Sequence, residues 1–147
     1  MRAAETLKIV TDSLFSRNSD ALIVIMGDFN DEPVDNNITQ GLEAGPSVDM
    51  PAGKELYNLM DPLYHQGKGT LYYKDWDLFD QMIISGSFWN KDKGLIFYGQ
   101  EGNIFEPEWL MFKTDDGTIR PNRTAAKTYY GGYSDHLPVY IDLILKK

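Results

Sequence analysis

The sequence predicts a mixed α/β (α+β) domain, and three observations carry that reading. An amphipathic run, a short turn and an apolar stretch, Leu22 to Met26, follow one another in the order of an α/β unit. Two further apolar stretches, Met82 to Ser85 and Val139 to Leu145, each follow an acid at the end of a turn. No repeat, low-complexity tract or linker divides the 147 residues, a length that suits one domain with a sizeable core.

Taken in order, Arg2 to Phe15 places Ala3, Leu7, Val10 and Leu14 on one helical face, and Asn18 to Asp20 ends the helix. Leu22 to Met26 is short and rich in β-branched residues, so it reads as a strand buried on both faces. Asn36 to Leu42 suits a short helix capped by Asp35, and Gly45 to Gly53 reads as an exposed irregular loop. Glu55 to Met60 suggests a helical turn ending at Asp61-Pro62, because a residue before proline avoids the helical region. Thr70 to Tyr73 and Phe79 to Ile84 read as a hairpin around Lys74 to Asp77, one that delivers Asp80 to the sheet end. Leu95 to Tyr98 reads as a strand and Pro107 to Leu110 as a single helical turn. Phe88, Trp89, Phe105, Trp109 and Phe112 read as packing under long loops.

Composition narrows the classes of function. Zero cysteines exclude disulfides and thiolate metal sites, and no apolar run is long enough to span a membrane. The amino terminus is polar and amphipathic, with no recognisable signal peptide, and the compartment stays open. A net charge of −8 and the lack of a basic stripe weigh against a long nucleic acid as the partner. The single basic concentration, Arg120, Arg123 and Lys127, reads as a solvated loop, and His65 as a surface residue.

Three motifs place chemistry at strand ends, where open sheets bind their ligands. Gly27-Asp28-Phe29-Asn30, followed by Asp31 and Glu32, closes the first strand; Asp80-Gln81 enters the second; Ser134-Asp135-His136, led in by Gly131-Gly132-Tyr133, precedes the last. Each alone is a short turn-like motif. Together, in this order and spacing, they resemble the carboxyl-terminal half of the endonuclease/exonuclease/phosphatase superfamily, the phosphoesterases built like deoxyribonuclease I. The likeness is strongest to bacterial secreted-type members.

The resemblance implies metal-dependent hydrolysis of a phosphoester or phosphodiester with Mg²⁺ or Mn²⁺. Asp28 would orient or deprotonate the attacking water, and Asn30 would hold that water or a phosphate oxygen. Asp135 is a natural hard-oxygen ligand, with Asp28 as a second, and His136 a natural donor to phosphate or base towards water. Such a histidine needs an acid on its other nitrogen, and Asp80 is the candidate. DNA, RNA, sugar phosphate, phosphoinositide and sphingomyelin all remain open as substrates. Complete members are four-layer α-β-β-α sandwiches whose amino-terminal half adds a metal-binding Glu, an Asn and a His, and none has a counterpart here. Residues 1–147 are therefore expected to form the carboxyl-terminal half of the domain. Alone, such a half would bind metal poorly and associate with itself through apolar sheet faces. The alternative is a non-catalytic fragment or binding module.

Overall fold

The computed structural model describes residues 2–46, 54–89 and 92–147. Helix α1 (Arg2–Arg17) leads into strand β1 (Val24–Asp28) through a short turn. The helix buries Thr11 and Phe15, with Ala4 and Leu7 packed against the same core, while Ile9, Val10 and Leu14 face outward. The buried stripe is thus rotated from the one expected through Ala3, Val10 and Leu14. Phe15, the largest apolar side chain of the helix, sets the rotation by inserting beside Ile23, Ile38 and Leu56.

Strands β2 (Ala44–Pro46) and β3 (Leu56–Asn58) come next, then the short helix α2 (Asp61–His65) and the hairpin of β4 (Leu71–Tyr72) with β5 (Trp76–Asp77). Strand β6 (Asp80–Ser85) joins β1, β3 and β2 in one four-stranded sheet of order β1-β6-β3-β2. The β1–β6 and β6–β3 pairs are antiparallel and β3–β2 is parallel, so the sheet is mixed. Strands β7 (Gly94–Ile96), β8 (Asn103–Ile104), β9 (Met111–Lys113), β10 (Ile119–Pro121), β11 (Val139–Tyr140) and β12 (Ile144–Lys146) form three two-stranded antiparallel pairs: β9 with β10, β8 with β11, β7 with β12. Among the described residues no helix is long and apolar enough to cross a membrane.

Strand β6 divides the core. Ile83 points to the α1 side, and Met82 and Ile84 point to a second cluster built on Leu59, Leu78, Phe88 and Phe97, in keeping with strand alternation. That second cluster covers β6 but stops short of β1. Val24 and Met26, paired with Ile84 and Met82, therefore stay 41% and 70% exposed on an edge strand, and the expected two-sided burial of Leu22 to Met26 does not occur.

Local readings change for similar reasons. Glu55 to Met60 is not a helical turn: Leu56, Tyr57 and Asn58 are buried between β2 and β6, and the helix begins where that turn was expected to end, with Pro62 in its first turn. Asn37–Gly41 forms a π-helical turn, and the Asp35 side chain accepts from Glu32 N (2.8 Å) instead of capping it. The loop expected over Gly45 to Gly53 starts on β2, and residues 47–53 lie outside the described residues. The return limb of the hairpin is β5, while β6 leaves to pair with β1. Val139 to Leu145 splits into β11 and β12 because the two pieces pair with different partners.

Candidate active site

The register of β1 against β6 sets Asp28 directly opposite Asp80 at one end of the sheet. The ladder runs one residue further, Phe29 N–H donating to Phe79 O at 2.9 Å. Gly27 has φ 144°, a conformation a side chain would resist, within the last two residues of β1. Asn30 follows in the left-handed region (φ 51°), donating its N–H to Asp28 Oδ1 at 2.9 Å, a turn that asparagine tolerates. Asp28 and Asn30 are both exposed.

The acids of this loop sort themselves by partner. Asp31 accepts both bonds from Asn37 Nδ2 (3.0 and 2.8 Å). Glu32 faces the Tyr64 hydroxyl, and its negative charge together with a hydrogen bond raises the Tyr64 pKa above the usual phenol value. Asp35 turns back to the Glu32 amide. Asp28, an exposed side chain, accepts among the described residues only through Oδ1, from the Asn30 amide.

Beneath the loop lies a buried polar brace that the residue pattern did not reveal. Gln81, opposite Gly27 and fully buried, donates through Nε2 to Asp31 O (2.8 Å) and Leu78 O (2.6 Å). Its Oε1 accepts from Asn58 Nδ2 (2.9 Å), and Asn58 Oδ1 accepts from Met60 N (3.0 Å). Each polar group of the two amides named here has a partner, which fixes the loop relative to β3 and β6.

On the far side, His136 Nδ1 lies 2.7 Å from Asp80 Oδ2, with both side chains mostly shielded. A carboxylate at that distance accepts from Nδ1–H and leaves Nε2 as the free position. Thr70, also fully buried, joins the two segments that carry the pair: its carbonyl accepts from Leu137 N (2.8 Å) and its hydroxyl from Asp80 N (3.4 Å). His136 bridges Leu71, and its own N–H donates to Ser134 Oγ at 3.0 Å. Nothing in the sequence around Thr70 marks this positioning role.

Asp80 and His136 line a cleft of about 340 Å³ with Ser134, Tyr133, Trp109 and Phe105. The three rings stand edge to face, Phe105 against Trp109 (6.2 Å) and Trp109 against Tyr133 (5.2 Å). Phe105 and Trp109 are 43% and 57% exposed, so they wall the cleft instead of packing under loops; Phe88 does pack in the core. Asp135 is exposed beside His136, and the second histidine, His65, lies on the surface 3.7 Å from Asp61. Among the described residues no three metal-ligating side chains converge.

An α+β domain with opposed carboxylates and an acid-held imidazole at one sheet end is equipped for hydrolytic chemistry. The model of the Endonuclease/Exonuclease/phosphatase family matches residues 1–145, and the chain belongs to that family. Membership indicates a function of the phosphoester-hydrolase type. No curated protein and no solved structure matches the chain.

Proposed function

We propose that this chain supplies Asp28, Asn30, Asp80, Asp135 and His136 to a divalent-metal-dependent phosphoesterase, as the carboxyl-terminal half of its domain. The observation that carries the reading is the His136–Asp80 contact at 2.7 Å, on the strand whose Asp80 faces Asp28 in register. Asp28 and Asp135 are hard-oxygen donors of the kind Mg²⁺ or Mn²⁺ takes, so the donor set fits such an ion in chemistry. It is incomplete in number, since Asp80 is committed to His136, and the remaining ligands would come from the amino-terminal half. When bound, the ion would neutralise charge on phosphate oxygens.

The chain's own residues do the rest. Asp28, with one oxygen on the Asn30 amide, uses the other to orient the attacking water and take its proton. The Asn30 side chain holds that water or a phosphate oxygen. His136, fixed through Nδ1, turns Nε2 into the cleft, where its protonated form donates Nε2–H to a phosphate oxygen. A P–O bond forms to the water oxygen, and the bond to the leaving oxygen breaks.

The test is Mg²⁺-dependent hydrolysis of bis(p-nitrophenyl) phosphate by the protein at its natural length. His136→Ala and Asp80→Asn should each lose about 100-fold or more, the usual scale for an acid–base group, and His65→Ala should be silent. An active His136→Ala variant overturns the assignment. A folded natural protein with no hydrolysis at all supports the binding-module alternative instead.

A further inference from the structure

The basic loop is not simply solvated. Arg120, on β10, lies over the Phe112 ring at 5.1 Å, and Arg123 is half-buried, donating from Nη2 to Tyr72 O at 3.3 Å. With Tyr72, Tyr73 and Tyr130 they line a polar cleft of about 370 Å³, separate from the one at His136. The chain carries 22 acids and 14 bases, yet among the described residues neither arginine forms an ion pair. Asp116, the one carboxylate on the cleft wall, is occupied by its own turn: its Oδ1 accepts from the Thr114 hydroxyl and from Thr118 N (3.0 Å). Arg123 Nε is buried without a hydrogen-bond partner. That Nε–H is enclosed by the protein; what the cleft offers to an anion is two guanidinium groups whose charge no carboxylate among the described residues matches.

The cleft is tied to the proposed site by the backbone. Tyr72, which holds Arg123, is the chain neighbour of Leu71, which bridges His136. Tyr133 N–H donates to Asn122 O (2.8 Å) and Gly132 N–H to Arg123 O (3.2 Å), pinning the arginine loop against the lead-in to His136. Gly132 is needed there, because a Cβ would lie 1.9 Å from Asn122 O. Arginines bind phosphate through a planar fork of donors, and two of them lining one cleft offer such forks to a phosphoryl group.

We propose that the Arg120–Arg123 cleft is a phosphate subsite that takes a second phosphoryl group of the substrate, an assignment that rests on the phosphoesterase reading for the word substrate but not for the binding. The substrate class is then a compound with at least two phosphates, and the small extent of the cleft accounts for how an acidic chain without a basic stripe would hold one.

The experiment is titration of the chain, without metal, with inorganic phosphate, thymidine 5′-phosphate and thymidine 3′,5′-bisphosphate, read by the Arg123 Nε–H resonance and by calorimetry. Phosphate should shift that resonance. The bisphosphate should bind at least tenfold tighter than the monophosphate, and Arg123→Gln or Arg120→Gln should remove most of that advantage while His136→Ala retains the Arg123 shift. An unmoved Arg123 resonance, or full affinity in both folded arginine variants, overturns the subsite. Equal binding of monophosphate and bisphosphate at the arginines overturns the second-phosphate assignment in favour of free phosphate. Loss of the shift in His136→Ala alone would place phosphate at the Asp80–His136 site, overturning the subsite while leaving the phosphoesterase reading standing.

Discussion

Replacing Gln81 with leucine tests how the acidic loop is held. The side chain is fully buried and makes three bonds, to Asp31 O, Leu78 O and Asn58 Nδ2, at 2.8, 2.6 and 2.9 Å. Leucine fills a similar volume and matches none of them. Asp31 is half-exposed, so its carbonyl can turn to water, but the Leu78 carbonyl and the Asn58 amide cannot. Two stranded buried groups at about 1–3 kcal/mol each give a loss of roughly 2–6 kcal/mol. Added apolar burial offsets about 1 kcal/mol of that. Against a typical domain stability of about 5–15 kcal/mol, Gln81→Leu should lower the urea midpoint sharply with an unchanged slope. Faster amide exchange at Asn30 should accompany it, because the loop loses its anchor. A variant within about 0.5 kcal/mol of the parent, well under the cost of one stranded group, would show that the brace does not hold the loop.

Three further outcomes are expected. Calorimetric titration of this chain alone with Mg²⁺ should give only weak binding, since two carboxylates leave the ion mostly hydrated; tight stoichiometric binding would mean that a ligand has been misplaced. Light scattering at micromolar concentration should show self-association through the outer face of β1, and Met26→Lys, at a position 70% exposed, should reduce it; a monomeric parent protein would refute the idea. Asp116 is held below its ordinary carboxyl value of 3.8, first by the Thr114 hydroxyl and then by the Thr118 amide, so its contribution to the β9–β10 turn is complete above that value and disappears as pH falls through the lower folded one. Asp116→Asn should remove that acid dependence from the Thr118 amide shift, and an unchanged titration would disprove the role.

The sequence is most informative where chemistry and backbone demands coincide. Gly27, Asp28 and Asn30 need a positive φ, an acid and a left-handed residue within four positions, and Ser134 to His136 sit before a proline that delays the next strand. The α1 helix is legible from periodicity, but its rotation is not, because Ala3–Val10–Leu14 and Ala4–Thr11–Phe15 are both plausible stripes until Phe15 meets Ile38 and Leu56. Strand β3 is hidden for the opposite reason: three residues flanked on both sides by other strands leave no alternation to read. Thr70, Gln81 and Asn58 act through partners remote in sequence, in the last case 23 residues away, and no local pattern encodes that. The cleft walls formed by Trp109 and Phe105 likewise depend on where Tyr133 returns.

The facing of Asp28 and Asp80 across one rung of the ladder has a consequence for anyone who sets out to improve this protein. Like charges directly opposite one another disfavour the pairing by a few tenths to about 1 kcal/mol, whatever their use. Asparagine at position 28 would relieve the repulsion and keep the turn to residue 30. A screen for heat resistance would therefore enrich Asp28→Asn, and in doing so would discard the group proposed to activate water. Selection for robustness and selection for turnover pull this rung in opposite directions.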